Sequence, residues 1–422
     1  MIVVAVSIAV SAAVVTEFAY NARVDLEAAA NGRDQLRAEH LARSAVNLGR
    51  LLIKVQNSVL DKNRQFVGDV QIADFAKYIM KAFGGDLDEQ AGLASLIGID
   101  VGQMKGVGVG RGETFDLDMT AEDGKLNLNC GGGFNDSARQ QILYGVLSAM
   151  FWPPRYNRLF EYPDADGQVT PREDVARAIL DWADNDDQRY APPVTDGKGG
   201  TVAQSSGSED YRYDAGRDPF KAHNHFFDTT EEVNLVRGVS DDLWGSFGEM
   251  FTVYGSCKMN LGAIKPEHWP LLAAIVRACA RDDQKNNPAL QDETMVAALS
   301  QQIMSLAQLV GGFSQISDFT SWISDPVKAL AGMAGLSNTS LPDNLVASLV
   351  GVTLDNAKLN NVLYVGARRV WRLDAVGSVQ RTREKRTVVR IRAIWDVQHY
   401  NQNTTSGDAS DRQGTWVYWR QE

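Results

Sequence analysis

Cysteine is scarce in this sequence, and proline is missing from a long opening stretch. Only three cysteines occur among 422 residues, Cys130, Cys257 and Cys279. At most one intramolecular disulfide can form, so the chain is not a disulfide scaffold, and the count leaves open which two cysteines pair, if any. No proline precedes Pro153. Nothing before that position therefore forbids a long helix.

Basic charge is also in deficit. The chain has 42 lysines and arginines against 53 aspartates and glutamates, a net charge of -11, and 44% of its residues are hydrophobic. An acidic balance argues against a protein that follows nucleic-acid phosphates. The segment 258–269 faintly resembles a phosphate-binding helical hairpin but lacks its glycine turn. We predict a globular protein with no nucleic-acid partner.

The first residues lack charge altogether. Residues 1–15 form an apolar run before Glu17, which as a helix covers about 22 Å of a hydrocarbon core of about 30 Å. Nothing basic precedes Ile2, so a cleaved secretory signal is not favoured. We interpret residues 1–19 as a membrane anchor helix and expect part of its apolar segment to precede Met1.

The helix should continue to about Leu60, because only Gly32 and Gly49 weaken it. Its apolar residues from Leu41 onward are spaced alternately by four and three positions, which places them on one face. This seam consists of Leu41, Ala45, Leu48, Leu52, Val55 and Val59. It can pack on a sheet of the same domain, on helices of partner proteins, or on both.

Strand patterns occupy two separate regions. Alternating residues predict a strand at 113–120, a turn at Asp123-Gly124, and a returning partner strand at 125–129. Further strands are predicted at 362–365, 370–376, 387–400 and 416–419, with a solvated turn at 381–386. The two groups can complete a single antiparallel sheet, which indicates an α+β fold.

Helical patterns fill the middle of the chain. Thr170, Pro171 and Glu173 form a helix start, and another helix is predicted from Asp292 to Leu309. We divide the chain into residues 1–19 (anchor), 20–134 (helix and first strands), 135–361 (an inserted all-helical domain) and 362–422 (strands completing the sheet).

Acidic loops are the best candidates for a binding site. Calcium takes six to eight oxygen ligands, and six carboxylates can converge if one loop folds back: Asp184, Asp186, Asp187, Glu209, Asp210 and Asp214. We predict a structural calcium site at Asp184, Asp186, Glu209 and Asp210. The alternative is a solvated acidic loop. A tethered hydrolase would instead need two carboxyl groups facing one cleft, and no nucleophile-elbow pattern is present.

Several short segments, in this order, carry a family resemblance: the uncharged N-terminal helix, residues 123–129 (DGKLNLN), 180–182 (LDW) with its acidic tail, 207–211 (GSEDY), 231–238 (EEVNLVRG), and 251–255 (FTVYG) with 258–261 (KMNL). Together they resemble the GspK family, the minor pseudopilins K of type II secretion systems. The family's short basic leader, ending in glycine, is not seen in this sequence, so we expect the true start to lie upstream.

The resemblance implies a pilin-like fold: a long N-terminal helix packed on an antiparallel sheet, with a large inserted helical domain. It implies a single-pass protein of the inner membrane with its globular part in the periplasm. It implies no enzymatic activity but a place at the tip of the pseudopilus, with minor pseudopilins of the I, J and H types, where the protein primes assembly and supports export across the outer membrane. It also implies calcium near Glu209 and Asp210.

Overall fold

The computed structural model describes residues 2–60, 72–73, 76, 112–132, 137–163, 167–195, 201–202, 207–213, 219–284, 286–310, 312–334, 350–382, 385–397 and 414–422. The chain divides into two compact units. One, the sheet unit, comprises Met1–Lys62, Gln71–Thr120 and Trp371–Glu422. The other, the helical unit, comprises Asn63–Val70 and Ala121–Val370. The compact units change after residues 120 and 370, whereas the sequence prediction placed its domain boundaries after residues 134 and 361.

Helices account for most of the described elements. The α-helices are α1 (Ile2–Val55), α2 (Ser137–Phe151), α3 (Arg158–Glu161), α4 (Arg172–Ala183), α5 (Asp241–Phe247), α6 (Trp269–Ala278), α7 (Pro288–Gln291), α8 (Glu293–Val310), α9 (Ile316–Ser324), α10 (Pro326–Ala334) and α11 (Asn356–Val362). A π-helical turn, Gln56–Leu60, follows α1. Short 3-10 segments are Leu128–Gly131, Pro154–Tyr156, Glu209–Arg212, Thr230–Leu235, Gly248–Met250, Leu261–Ala263, Pro266–His268 and Asp282–Gln284.

The strands are β1 (Glu113–Ala121), β2 (Leu126–Asn127), β3 (Val194–Thr195), β4 (Thr201–Val202), β5 (Phe251–Thr252), β6 (Met259–Asn260), β7 (Leu363–Tyr364), β8 (Val370–Gln380), β9 (Arg386–Asp396) and β10 (Thr415–Gln421). Four of them form one sheet in the order β1-β8-β9-β10. The others pair in twos, β2 with β5, β3 with β4, and β6 with β7.

The four-stranded sheet is antiparallel throughout. Gln380 donates its backbone N–H to Gly112 at one end of the β1–β8 pair, and Glu122 donates to Val370 at the other, so the two strands run in opposite directions. Between β8 and β9 the backbone N–H of Arg381 donates to the Lys385 carbonyl, and β10 pairs antiparallel with β9. The predicted α+β, pilin-like fold is confirmed.

Helix α1 lies against this sheet with its C-terminal half only. Small residues dominate its buried face, because Ala38, Ala42, Ala45 and Gly49 are all buried. They let the helix approach closely: a Cβ on Gly377 of β8 would collide with the backbone of Ala38 and Ala42. The N-terminal half differs, since residues 2–29 are all exposed.

One strand prediction is wrong. Residues 125–129 do not return along β1; Leu126 instead pairs in parallel with Phe251 of β5. The turn before it is buried: the Asp123 carboxylate accepts the backbone N–H of Val370 at 3.1 Å, and Gly124 packs so closely on the Ala263 backbone that no Cβ would fit. These contacts direct the chain into the helical unit. A second correction concerns the segment 362–365, because β7 pairs with β6 there and does not join the sheet.

The helical unit has a core of its own. Helix α2 packs on α4 and α6, and α6 packs on α8, which encloses fully buried side chains such as Leu147, Ile179 and Ile275. The helix predicted from Asp292 to Leu309 is confirmed as α8. A disulfide joins Cys130 to Cys257, and Cys279 is a buried free thiol. Burial raises the pKa of that thiol to about 12, which keeps it protonated and unreactive.

Candidate functional site

Three acidic side chains meet at the C-terminal end of α4. Asp181 and Asp184 are three positions apart, so they lie on the same side of the helix end. Glu209 comes from the 3-10 segment that Ser208 begins by accepting the N–H of Asp210. A β-bridge between Gln188 and Ser208 folds this segment back toward α4. The loop therefore brings together carboxylates far apart in sequence.

The three side chains form a tight, buried cluster. One carboxylate oxygen from each lies within 4.8 Å of the others, and Asp181, Asp184 and Glu209 are 3%, 3% and 6% exposed. Asp181 accepts the Tyr190 N–H at 2.7 Å, and Asp184 accepts the Gln140 side-chain amide at 3.2 Å. As carboxylates, Asp184 Oδ1 and both Glu209 oxygens have no hydrogen-bond donor among the described residues. Such orphaned buried acceptors are costly.

Burial makes the charged forms unfavourable. Desolvation raises the pKa of Asp181 to about 7, although the Tyr190 N–H and Arg189 oppose the shift. The pKa values of Asp184 and Glu209 are also raised, first by desolvation and then by repulsion from neighbouring carboxylates. The cluster therefore either keeps protons near neutral pH or binds a cation.

A hard cation fits this donor set. All three candidate ligand atoms are carboxylate oxygens, and oxygens no more than 4.8 Å apart can each approach about 2.4 Å from a shared cation, the distance typical of Ca²⁺. A cation would also coordinate the carboxylate oxygens that accept no hydrogen bond from the described residues. Zinc is a poorer match, because it favours nitrogen and sulfur ligands.

The structure places the sequence-predicted ligands in different roles. It brings Asp184 and Glu209 together, whereas Asp186 is exposed and accepts the Gln188 N–H at 2.7 Å. Asp210 accepts the Ala222 N–H at 3.2 Å and pairs with Lys221 at 3.4 Å. Both side chains hold the loop rather than join the cluster.

Asp187 and Asp214 are the other two candidate ligands from the acidic loops. Asp187 accepts a hydrogen bond from the Asn224 amide at 3.0 Å, and Asp214 lies outside the described residues. Sequence reasoning missed Asp181. Its spacing of three from Asp184 on a helix was the available signal.

The second functional feature is α1 itself. In the part of the chain that the structure describes, it is the one helix long and apolar enough to cross a membrane, and none of its apolar stretch is buried. With 54 residues it is about 81 Å long. Residues 38–53 include the buried face of the helix, whereas residues 2–29 are exposed. The N-terminal half of α1 is therefore not packed into the sheet unit.

The predicted seam along α1 is split by the structure. Ala45 and Leu52 are buried, while Leu41, Leu48 and Val55 are half-buried along the edge of the sheet-facing surface. The side chain of Val59 lies outside the described residues. The opposite side of the same region carries apolar residues in solvent, with Leu36 60% and Leu51 54% exposed.

Comparisons with known proteins give little beyond this. No family model matches the chain, and no curated protein matches it. Among solved structures the chain is similar to one in "The Crystal Structure of the GspK-GspI-GspJ complex from enterotoxigenic Escherichia coli Type 2 Secretion System". The identity is 14%, the match covers 74% of this chain and 80% of the other, and the TM-score is 0.39. A likeness of this degree carries no functional conclusion.

Proposed function

We propose that this chain is a minor pseudopilin of a type II secretion system. In this role α1 anchors the chain in the inner membrane, the globular units lie in the periplasm, and the protein caps the pseudopilus tip with I-, J- and H-type pseudopilins. There it primes assembly and so supports export across the outer membrane.

One observation carries the proposal. Helix α1 exposes every apolar side chain over residues 2–29, yet its later part packs on an antiparallel sheet. An apolar surface of this length is not stable in water, so it requires lipid first and neighbouring helices after assembly. The segment order that resembles the GspK family supports the same role.

The role we propose is assembly and not catalysis. Paired carboxyl groups with raised pKa values can act as acid and base in hydrolases. Here Asp181, Asp184 and Glu209 are each less than one-tenth exposed, which leaves little room for a substrate to reach them. A structural role for the cluster accounts for its burial better than a catalytic one does.

We assign the acidic cluster a structural calcium ion, held by Asp181, Asp184 and Glu209. The loops it joins are short of core residues: Asp186 and Asp187 are exposed, and β3 and β4 have two residues each. A cation at the cluster would tie the end of α4 to the Glu209 segment and neutralise the buried charge.

Assembly is tested by co-purification of the full chain, in detergent, with I- and J-type pseudopilins. We expect a stable ternary complex, and Leu51→Glu should reduce its yield at least about tenfold if the exposed face of α1 is an interface. Leu235→Glu is a matched control, since Leu235 is 55% exposed in the helical unit and should not affect yield. Absence of a complex with the unaltered chain would overturn the assembly role.

Calcium is tested separately by thermal unfolding. Excess calcium over chelator should stabilise the chain by about 3 kcal/mol at one hundred times the dissociation constant. Glu209→Gln should lose this response, whereas Glu173→Gln, exposed at the other end of α4, should keep it. An unaltered chain that melts identically in calcium and in chelator would remove the ion from the proposal and leave the assembly role standing.

A further inference from the structure

The helical unit carries a groove that neither the assembly helix nor the acidic cluster uses. Its volume is about 800 Å³, and its floor is apolar, with the exposed Ala138 and the half-buried Ile142 of α2 together with the buried Met259 of β6. This volume lies within the range of ligand-binding pockets. We call it the basic groove, because Arg139, Lys258 and Arg369 also line it.

Covalent and backbone links fix the walls of the basic groove. The Cys130–Cys257 disulfide joins the 3-10 segment beside α2 to the loop before β6, and both cysteines line the groove. Met259 is held by pairing with Leu363 of β7. Asn127, 6% exposed, donates its side-chain amide to the Gly255 carbonyl at 3.2 Å. A groove with fixed walls loses little conformational entropy when it is filled.

The charge of the groove contrasts with that of the chain. Its described lining includes three basic side chains and no aspartate or glutamate, although the whole sequence has a net charge of -11. The Arg369 guanidinium lies 5.4 Å from the centre of the Tyr364 ring, an arrangement that orients it. Like charges gathered around an apolar floor favour an occupant with both carboxylates and apolar side chains.

The shape favours a polypeptide over a small molecule. Small ligands are enclosed over most of their surface, whereas Arg139 and Lys258 are exposed side chains on an open side of the groove. A bound chain can enter and leave along that side.

We propose that the basic groove docks a segment of a partner protein in which leucine-like side chains alternate with carboxylates. The apolar side chains would cover Ala138 and Ile142 of α2, and the carboxylates would pair with Arg139, Lys258 and Arg369. This inference does not depend on the assembly role.

The test measures fluorescence anisotropy of a short labelled peptide that alternates leucine with glutamate, titrated with the full chain in detergent. Saturable binding is expected. The double variant Arg139→Glu, Lys258→Glu should weaken it at least about tenfold, because two attractive pairs become repulsive. The control Arg281→Glu, Lys328→Glu reverses two exposed charges outside the groove and should bind like the unaltered chain.

Two further peptides separate the contributions. Replacing glutamate by glutamine, or leucine by serine, should each weaken binding, since the groove needs both chemistries. Equal binding by the groove and control variants would overturn the proposal, and so would the absence of saturable binding to the peptide. Circular dichroism and melting of each variant show whether a loss of binding comes from unfolding.

Discussion

Charged residues at the entrance to the helical unit are buried, although their sequence is typical of a solvated turn. Lys125 donates to Glu122 at 2.8 Å, and their side chains are 3% and 2% exposed. The Asp123 carboxylate accepts backbone N–H groups from Arg369 and Val370. An Asp-Gly pair predicts a tight turn, and a turn is present. Local sequence patterns cannot identify the backbone groups that this carboxylate binds, because those groups lie more than two hundred residues further along the chain.

His268 lies close to the same ion pair and gives the helical unit an acid sensitivity. It is 6% exposed, and its pKa is lowered to about 4, first by desolvation and then by the charge of Lys125; Lys265 acts in the same direction, and Glu267 and Glu249 oppose it. An unfolded histidine takes up its proton near pH 6.5. The stability that His268 contributes should therefore be fully present above that pH and decrease by about 3 kcal/mol as pH drops toward 4.

The measurement is urea unfolding of the helical unit between pH 7.5 and 4.5. His268→Gln should flatten the pH dependence relative to the unaltered chain, because the substituted side chain takes up no proton. His40→Gln makes the same change at an exposed position of α1. If both variants keep the slope of the unaltered chain, His268 is not its source.

At the scale of elements, the helix and its periodicity are predictable, while the choice of face is not. Alternating four- and three-residue spacing correctly put Ala45 and Leu52 on the buried side. The centre of that side, however, is a row of small residues that includes Ala38, Ala42 and Gly49. Hydrophobic periodicity favours large side chains, whereas close packing of a helix on a sheet favours small ones where the backbones approach. The closest approach involves Gly377, which no pattern within α1 can identify.

Gly377→Val should accordingly separate α1 from β8. Its side chain would collide with the backbone of Ala38 and Ala42, which cannot move aside as a flexible side chain can, so we expect a loss of about 3 kcal/mol in the sheet unit. Gly32→Ala is the contrasting change in α1, where a Cβ meets nothing and should stabilise the helix by up to about 1 kcal/mol. Chemical denaturation followed by tryptophan fluorescence compares the two. A Gly377→Val chain as stable as the unaltered one would mean that the helix does not lie this close to the sheet.

At the scale of the whole molecule, the order of strand and helix segments predicted more of the fold than any single motif did. Strands before and after a helical block predicted one sheet with an insertion, and the structure has that sheet. Two of the predicted metal ligands meet. Asp181 does not follow from an acidic loop pattern, because its place in the cluster depends on where α4 ends. Nor could three cysteines reveal their pairing, because Cys130 and Cys257 are 127 residues apart and only the folded unit brings them together.

That disulfide links the fold to the proposed location. Closing a loop of 127 residues removes about 5 kcal/mol of chain entropy from the unfolded state on the loop-closure model, and such bonds persist mainly outside the reducing cytoplasm. If α1 places the globular units in the periplasm, the chain extracted from membranes should carry the Cys130–Cys257 bond.

A thiol-reactive polymer reagent tests this prediction on the denatured chain. It should add one label before reduction, at Cys279, and three after it. A control chain without residues 2–24, which stays in the cytoplasm, should take three labels from the start. In the native oxidised chain Cys279 should remain unlabelled, because it is 1% exposed. Three labels on the membrane-extracted chain before reduction would place the globular units on the cytoplasmic side, and the tip role could not hold.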